Sequence, residues 1–130
     1  MSFFKDGGFD LVICIGVLEH IIPFGKLKRV AREIQRVGKS YVVVVPHFYT
    51  PLEPHYQLPF WQHYPDGFKS FLIKHLSIGY FKKNPRGEFT KLNYFKEEGW
   101  YALFPGSSII SYNHILGGLI KNYIIYKKLN

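Results

Sequence analysis

Two groups of side chains in this 130-residue chain are of a type that does chemistry. The first is Glu19-His20, a carboxylate next to an imidazole. Imidazole titrates near neutrality, so His20 is a candidate catalytic base; helix capping or packing is the structural role open to the same pair. The second group lies in residues 46–65, PHFYTPLEPHYQLPFWQHYP, where His47, His55 and His63 recur at intervals of eight with Glu53 among them. Zinc-binding histidines are usually about three to five residues apart, and an interval of eight in a proline-broken loop fixes no geometry, so no metal is expected. Aromatic side chains from the same stretch could wall an acceptor pocket, with Tyr49, His55 and Trp61 as candidate substrate-binding residues. Ligand sites are mainly apolar with a few polar groups, and the same residues could equally pack a core or a lid.

The elements that must position these groups follow from hydrophobic spacing. Phe9–Ile15, FDLVICI, is a near-continuous apolar run between Gly7-Gly8 and Gly16, too short for an ordinary helix. It reads as a strand buried on both faces, the kind found in parallel sheets. Residues 25–37 place Leu27, Val30, Ala31, Ile34 and Val37 at helical spacing, with Lys26, Lys28, Arg29, Arg32 and Arg36 between them. This predicts an amphipathic helix stopped by Gly38. The β-branched run Tyr41–Val45, ending at Pro46, predicts a second parallel strand and completes a βαβ unit. Ligands in such sheets bind beyond the carboxyl ends of the strands, where Gly16-Val17-Leu18-Glu19-His20 leaves the first strand.

Five of the chain's eight prolines fall in residues 46–65, which excludes a regular helix or an interior strand there. Residues 66–81 predict a helix with Phe68, Phe71, Leu72 and Leu76 on one face, and Asn84-Pro85-Arg86-Gly87 a turn.

Composition narrows the function. Hydrophobic residues make up 47% of the chain, which argues for a packed core rather than disorder. No apolar run approaches the length of a membrane span. Cys14 is the single cysteine, so no intramolecular disulfide can form, and with no signal peptide at the N-terminus the expected location is cytoplasmic. The net charge of +8 could mark a nucleic-acid partner. A solvated helix face accounts for the charge better, because no nucleic-acid motif accompanies Lys82, Lys83, Arg86 and Lys91, and nucleic-acid binding is not expected.

The order FD-apolar-V…VLEH, basic helix, VVVVP, LFPG and final hairpin resembles the class I S-adenosylmethionine-dependent methyltransferases of the type 11 group. The resemblance implies an α/β fold: a partial Rossmann-like methyltransferase sheet of two parallel strands plus a C-terminal β-hairpin, with helices packed on the faces. It places the short helix before the penultimate strand within 92–106, that strand at Ser108–Tyr112, a turn at Gly117-Gly118 and the last strand at Asn122–Lys127. It implies that Ile15, Gly16, Val17 and Leu18 line S-adenosylmethionine. Some relatives hold a divalent metal with an E-x-x-E-H pattern, but here the first acidic position is Gly16, and one ligand is lost. In the family, VLEH lies mid-domain, after a glycine-rich turn and an acidic residue that hold the cofactor; nothing in these 130 residues resembles that pair.

The chain therefore reads as a single domain, residues 1–130, corresponding to the C-terminal half of a methyltransferase. It is expected to be inactive alone and to bind the cofactor only with a complementing N-terminal half. Phe9–Ile15 would then present an open edge to that half or to a second copy of the chain. The competing reading is a non-catalytic basic binding or scaffold module.

Overall fold

The structure is a computed structural model that describes residues 3–76, 86–87 and 91–129. Its centre is a four-stranded mixed sheet. The first strand, β1 (Phe9–Ile15), leads through a single helical turn at Leu18–His20 into α1 (Phe24–Val37), which returns the chain to β2 (Gly38–Pro46), parallel to β1. The predicted βαβ unit is thus present. The apolar stripe of α1 is also as predicted: Leu27, Ala31, Ile34 and Val37 are buried, while Lys26, Lys28, Arg29 and Arg32 face solvent.

Gly38 works differently from a helix-stopping glycine. Its backbone is extended and already belongs to β2. A Cβ there would stand 2.8 Å from Val12 Cγ2 and 2.8 Å from the Ser40 carbonyl oxygen. Glycine is required because α1 hands over to β2 against the side of β1, with no room for a side chain.

The C-terminal hairpin completes the sheet. α3 (Glu97–Leu103) precedes β5 (Ser108–Ile115), and a turn with Gly117 at φ 66° leads into β6 (Ile120–Lys127). β6 lies antiparallel to both β5 and β2, giving the order β1-β2-β6-β5, so β1 is an edge strand among the described residues.

Alternation along the strands separates the two faces. Cys14, Val43, Ile125 and Ile109 are in register and point toward α1 and α3. They form the core with Leu27, Ala31, Trp100, Leu103 and Phe104. The opposite row, Ile15, Val44, Ile124 and Ile110, carries no helix among the described residues. Ile13 and Ile15 are each 62% exposed and Ile110 is 49% exposed. The expectations of a β1 buried on both faces and of helices on both faces of the sheet are therefore corrected. The helices α1 and α3 share one face, and Ile13 stands outside the core.

Residues 47–76 form a second, smaller cluster. A two-residue hairpin, β3 (Leu52–Glu53) with β4 (Leu58–Pro59), is followed by a helical turn at Trp61–His63 and by α2 (Asp66–His75). Tyr56 stacks on Trp61 with centroids 4.1 Å apart, and Ile73 of α2 closes over them. The predicted face of α2 is corrected as well: Ile73 is buried and Leu72 half-buried, whereas Phe68 and Phe71 are exposed. Leu76 lies past the helix end. Positions 77–81 of that predicted helix, Asn84-Pro85 of the predicted turn, and Lys82 and Lys83 fall outside the described residues.

Candidate functional site

The site begins where β1 ends. Gly16 adopts φ 69°, a left-handed conformation that glycine takes without penalty. Its N–H donates to the Val44 carbonyl at 3.3 Å, and only the Glu19 carboxylate oxygen, at 3.8 Å, lies near the place a Cβ would occupy. Backbone is therefore presented to open space at the carboxyl end of a parallel strand. Ile15 and Val17 flank it, both exposed. Leu18 is completely buried in the core and contributes only backbone to this lip.

The turn that follows is fastened from afar. The Asn93 side-chain amide donates to the carbonyls of Leu18 (2.9 Å) and Ile21 (2.8 Å), and the Asn93 N–H donates to the Glu19 carbonyl (2.8 Å). Three hydrogen bonds to one residue satisfy carbonyls that a single-turn helix leaves open. They hold Glu19 with its side chain 6% exposed and His20 with its side chain 44% exposed.

His55 reaches this turn from the β3–β4 hairpin. Its ring meets that of His20 edge to face, with centroids 4.9 Å apart. Its Nδ1 bonds to Glu53 Oε1 at 2.7 Å. Glu53 is wholly buried, yet its carboxylate is satisfied: Oε2 accepts the Tyr56 N–H at 2.6 Å, and Oε1 also accepts the Tyr94 hydroxyl. Burial alone would raise the Glu53 pKa, but the bonds from His55, Tyr94 and Tyr56 prevail and hold it below the usual carboxylate range. Reciprocally, the Glu53 hydrogen bond pushes His55 up against the opposing effect of burial. Burial, with the Glu53 charge behind it, pushes the Tyr94 phenol far above its ordinary value, so Tyr94 remains a donor.

The sequence candidates thus separate in space. His20 and His55 come together. Trp61 lies under Tyr56 and lines a neighbouring cavity of about 270 Å³ together with Gln62, Lys69, Asn93 and Tyr94. That cavity shares Asn93 with the His20 turn and Tyr94 with the Glu53–His55 pair. Tyr49 stands apart, exposed beside His47, Phe48 and His63. Of the three evenly spaced histidines, only His55 joins Glu19 and His20. Asn93 and Tyr94, which tie the parts together, carry no sequence signal: their neighbours predict only the approach to α3.

Residues 1–45 match the family described as "Methyltransferase domain". That stretch contains β1, the Gly16–His20 loop, α1 and nearly all of β2. An uncharacterized protein of Methanocaldococcus jannaschii is 50% identical over 42 residues, which is 32% of this chain and 19% of that protein. The matched segment therefore spans about a fifth of the length of that relative. The methyltransferase resemblance is borne out for the βαβ unit that carries the lip. No helix among the described residues is long and apolar enough to cross a membrane.

Proposed function

We propose that this chain forms the acceptor-side half of an S-adenosylmethionine-dependent methyl-transfer domain. The observation that carries the reading is the coincidence of the family match with Gly16, whose left-handed backbone faces open space where that family binds its cofactor. The cofactor supplies an electrophilic methyl group on a sulfonium. Ile15 and Val17 would pack against it and the Gly16 backbone would approach it closely. The acceptor would enter from the side of His20, His55 and Trp61, whose imidazoles and cavity supply the orientation on which in-line displacement depends. His20, the more accessible imidazole, is the group we assign to meet the acceptor heteroatom.

A glycine-rich half, joined or separate, completes the cofactor pocket in this reading. The bare apolar row beside the β1 edge is the surface it would cover, since a parallel strand pair ordinarily has both faces buried. A second copy of the chain could occupy the same surface and would be detected as a homodimer.

Calorimetric titration with S-adenosylhomocysteine tests the assignment. The 130-residue chain alone should bind weakly or not at all, and binding should appear when a glycine-rich methyltransferase half is supplied. In that assembly Gly16→Val should weaken binding at least about tenfold, because a branched side chain is strained at this φ and enters the ligand's space. Undiminished binding by Gly16→Val would overturn the lip assignment.

A further inference from the structure

Glu19 is nearly buried, and one of its carboxylate oxygens, Oε2, has no hydrogen-bond partner. A carboxylate removed from water needs a donor or a cation, because a buried charge left unpaired is strongly disfavoured. Two imidazoles lie close to it. One ligand atom from each of Glu19, His20 and His55 lies within 4.8 Å of the other two, and Glu19 Oε1 is 3.9 Å from His20 Nε2.

His55 is oriented as metal-binding histidines commonly are. Its Nδ1 is engaged by the Glu53 carboxylate, which sets the ring and leaves Nε2 as the free nitrogen. Glu53 is in turn held by Tyr56 and Tyr94, so the supporting partner is itself rigid. No comparable carboxylate orients His63, whose described neighbours are aromatic rings.

We propose that Glu19, His20 and His55 bind a divalent first-row transition cation through one carboxylate and two imidazoles. Two nitrogens and one oxygen suit zinc, cobalt or iron(II); magnesium and calcium prefer all-oxygen sites. A tetrahedral cation with bonds of about 2.1 Å sets its ligand atoms about 3.4 Å apart. The Glu19–His20 separation is half an ångström wider, and the half-exposed His20 has the freedom to close it. Three protein ligands leave a coordination position for water or for an oxygen of another molecule. The cation site stands without the methyl-transfer reading; only the further step, that this open position receives the acceptor oxygen, rests on it, and in that step His20 serves the acceptor through the cation rather than by direct contact.

Sequence spacing hid this site because it takes one histidine from the evenly spaced set and the other two ligands from the loop after β1. The test uses the 130-residue chain with Co²⁺ as the probe, without cofactor or acceptor. Visible ligand-field bands should grow to a one-to-one end point and be abolished by Zn²⁺ but not by Mg²⁺. His20→Ala and His55→Ala should each weaken binding at least about tenfold, and Glu53→Gln, which removes no ligand, about 10–100-fold. His47→Ala and His63→Ala should bind like the parent. Circular dichroism checks each fold. His20 is exposed enough that its alanine variant keeps the test valid should His55→Ala fail to fold. Absence of the bands in the parent, or binding undiminished in His20→Ala, would overturn the proposal. The S-adenosylhomocysteine titration is a separate measurement, so either reading can fail alone.

Discussion

The two faces of the sheet are made of the same kinds of residues and have opposite fates. On one, Val43, Tyr41, Val45 and Ile125 are almost completely buried beneath α1 and α3. On the other, Val42, Val44, Ile124 and Ile13 are only partly covered or exposed. Valine and isoleucine occupy both, so hydrophobicity alone does not decide which face becomes a core. The deciding factor is which face α1 and α3 cross. Among the described residues this face has no such cover, and in the function proposed above it is the surface that a complementing half or a second copy would meet.

The largest expected effect contrasts the faces directly. Val43→Asp should abolish cooperative unfolding, because a charge buried among Ala31, Ile34 and Ile125 has no partner. Ile13→Asp should leave the unfolding free energy within about 0.5 kcal/mol of the parent, while lowering any self-association seen by light scattering. Equal destabilisation by the two substitutions would mean that the second face is covered in solution.

A smaller effect is expected where the covered side meets the site. Asn93→Ala removes the bonds to the Leu18 and Ile21 carbonyls. It should cost about 1–3 kcal/mol and, more tellingly, speed amide exchange in residues 18–21 before the rest of the sheet. Uniform loss of protection would show that Asn93 supports the fold as a whole rather than the turn.

The smallest effect depends on pH. His47 stacks on Tyr123, at the end of the covered face, and its Nδ1 accepts the Tyr49 N–H at 2.9 Å. Burial, helped by Lys121, lowers its pKa below the ordinary 6.5. The folded state therefore favours the neutral ring. This contribution to stability is fully present above pH 6.5 and is lost as pH falls through the depressed folded-state value. His47→Gln should flatten the dependence of the unfolding free energy on pH below 6.5, by less than Asn93→Ala costs. An unchanged slope would assign that dependence to other groups.

Local pattern was enough to read the βαβ unit. Apolar runs between glycines define β1 and β2, and 3.6-residue spacing defines the buried stripe of α1, because each is set by near neighbours in the chain. The basic face of α1 was legible for the same reason, whereas the short α3 and the C-terminal hairpin followed from the family resemblance rather than from spacing. The VLEH loop and the βαβ unit carried the part of the methyltransferase resemblance that the family match over residues 1–45 bears out.

Only the tertiary structure decided which face of β1 is covered, since a strand with apolar residues on both sides is symmetric in sequence. It alone brought His55 beside Glu19 and His20, and left Tyr49 apart from Trp61. Those placements depend on contacts across long loops. The hydrogen bonds that make them, from Asn93 to the Leu18 turn and from Tyr94 to Glu53, join residues 75 and 41 positions apart. No periodicity spans such intervals; the path of the folded chain sets them.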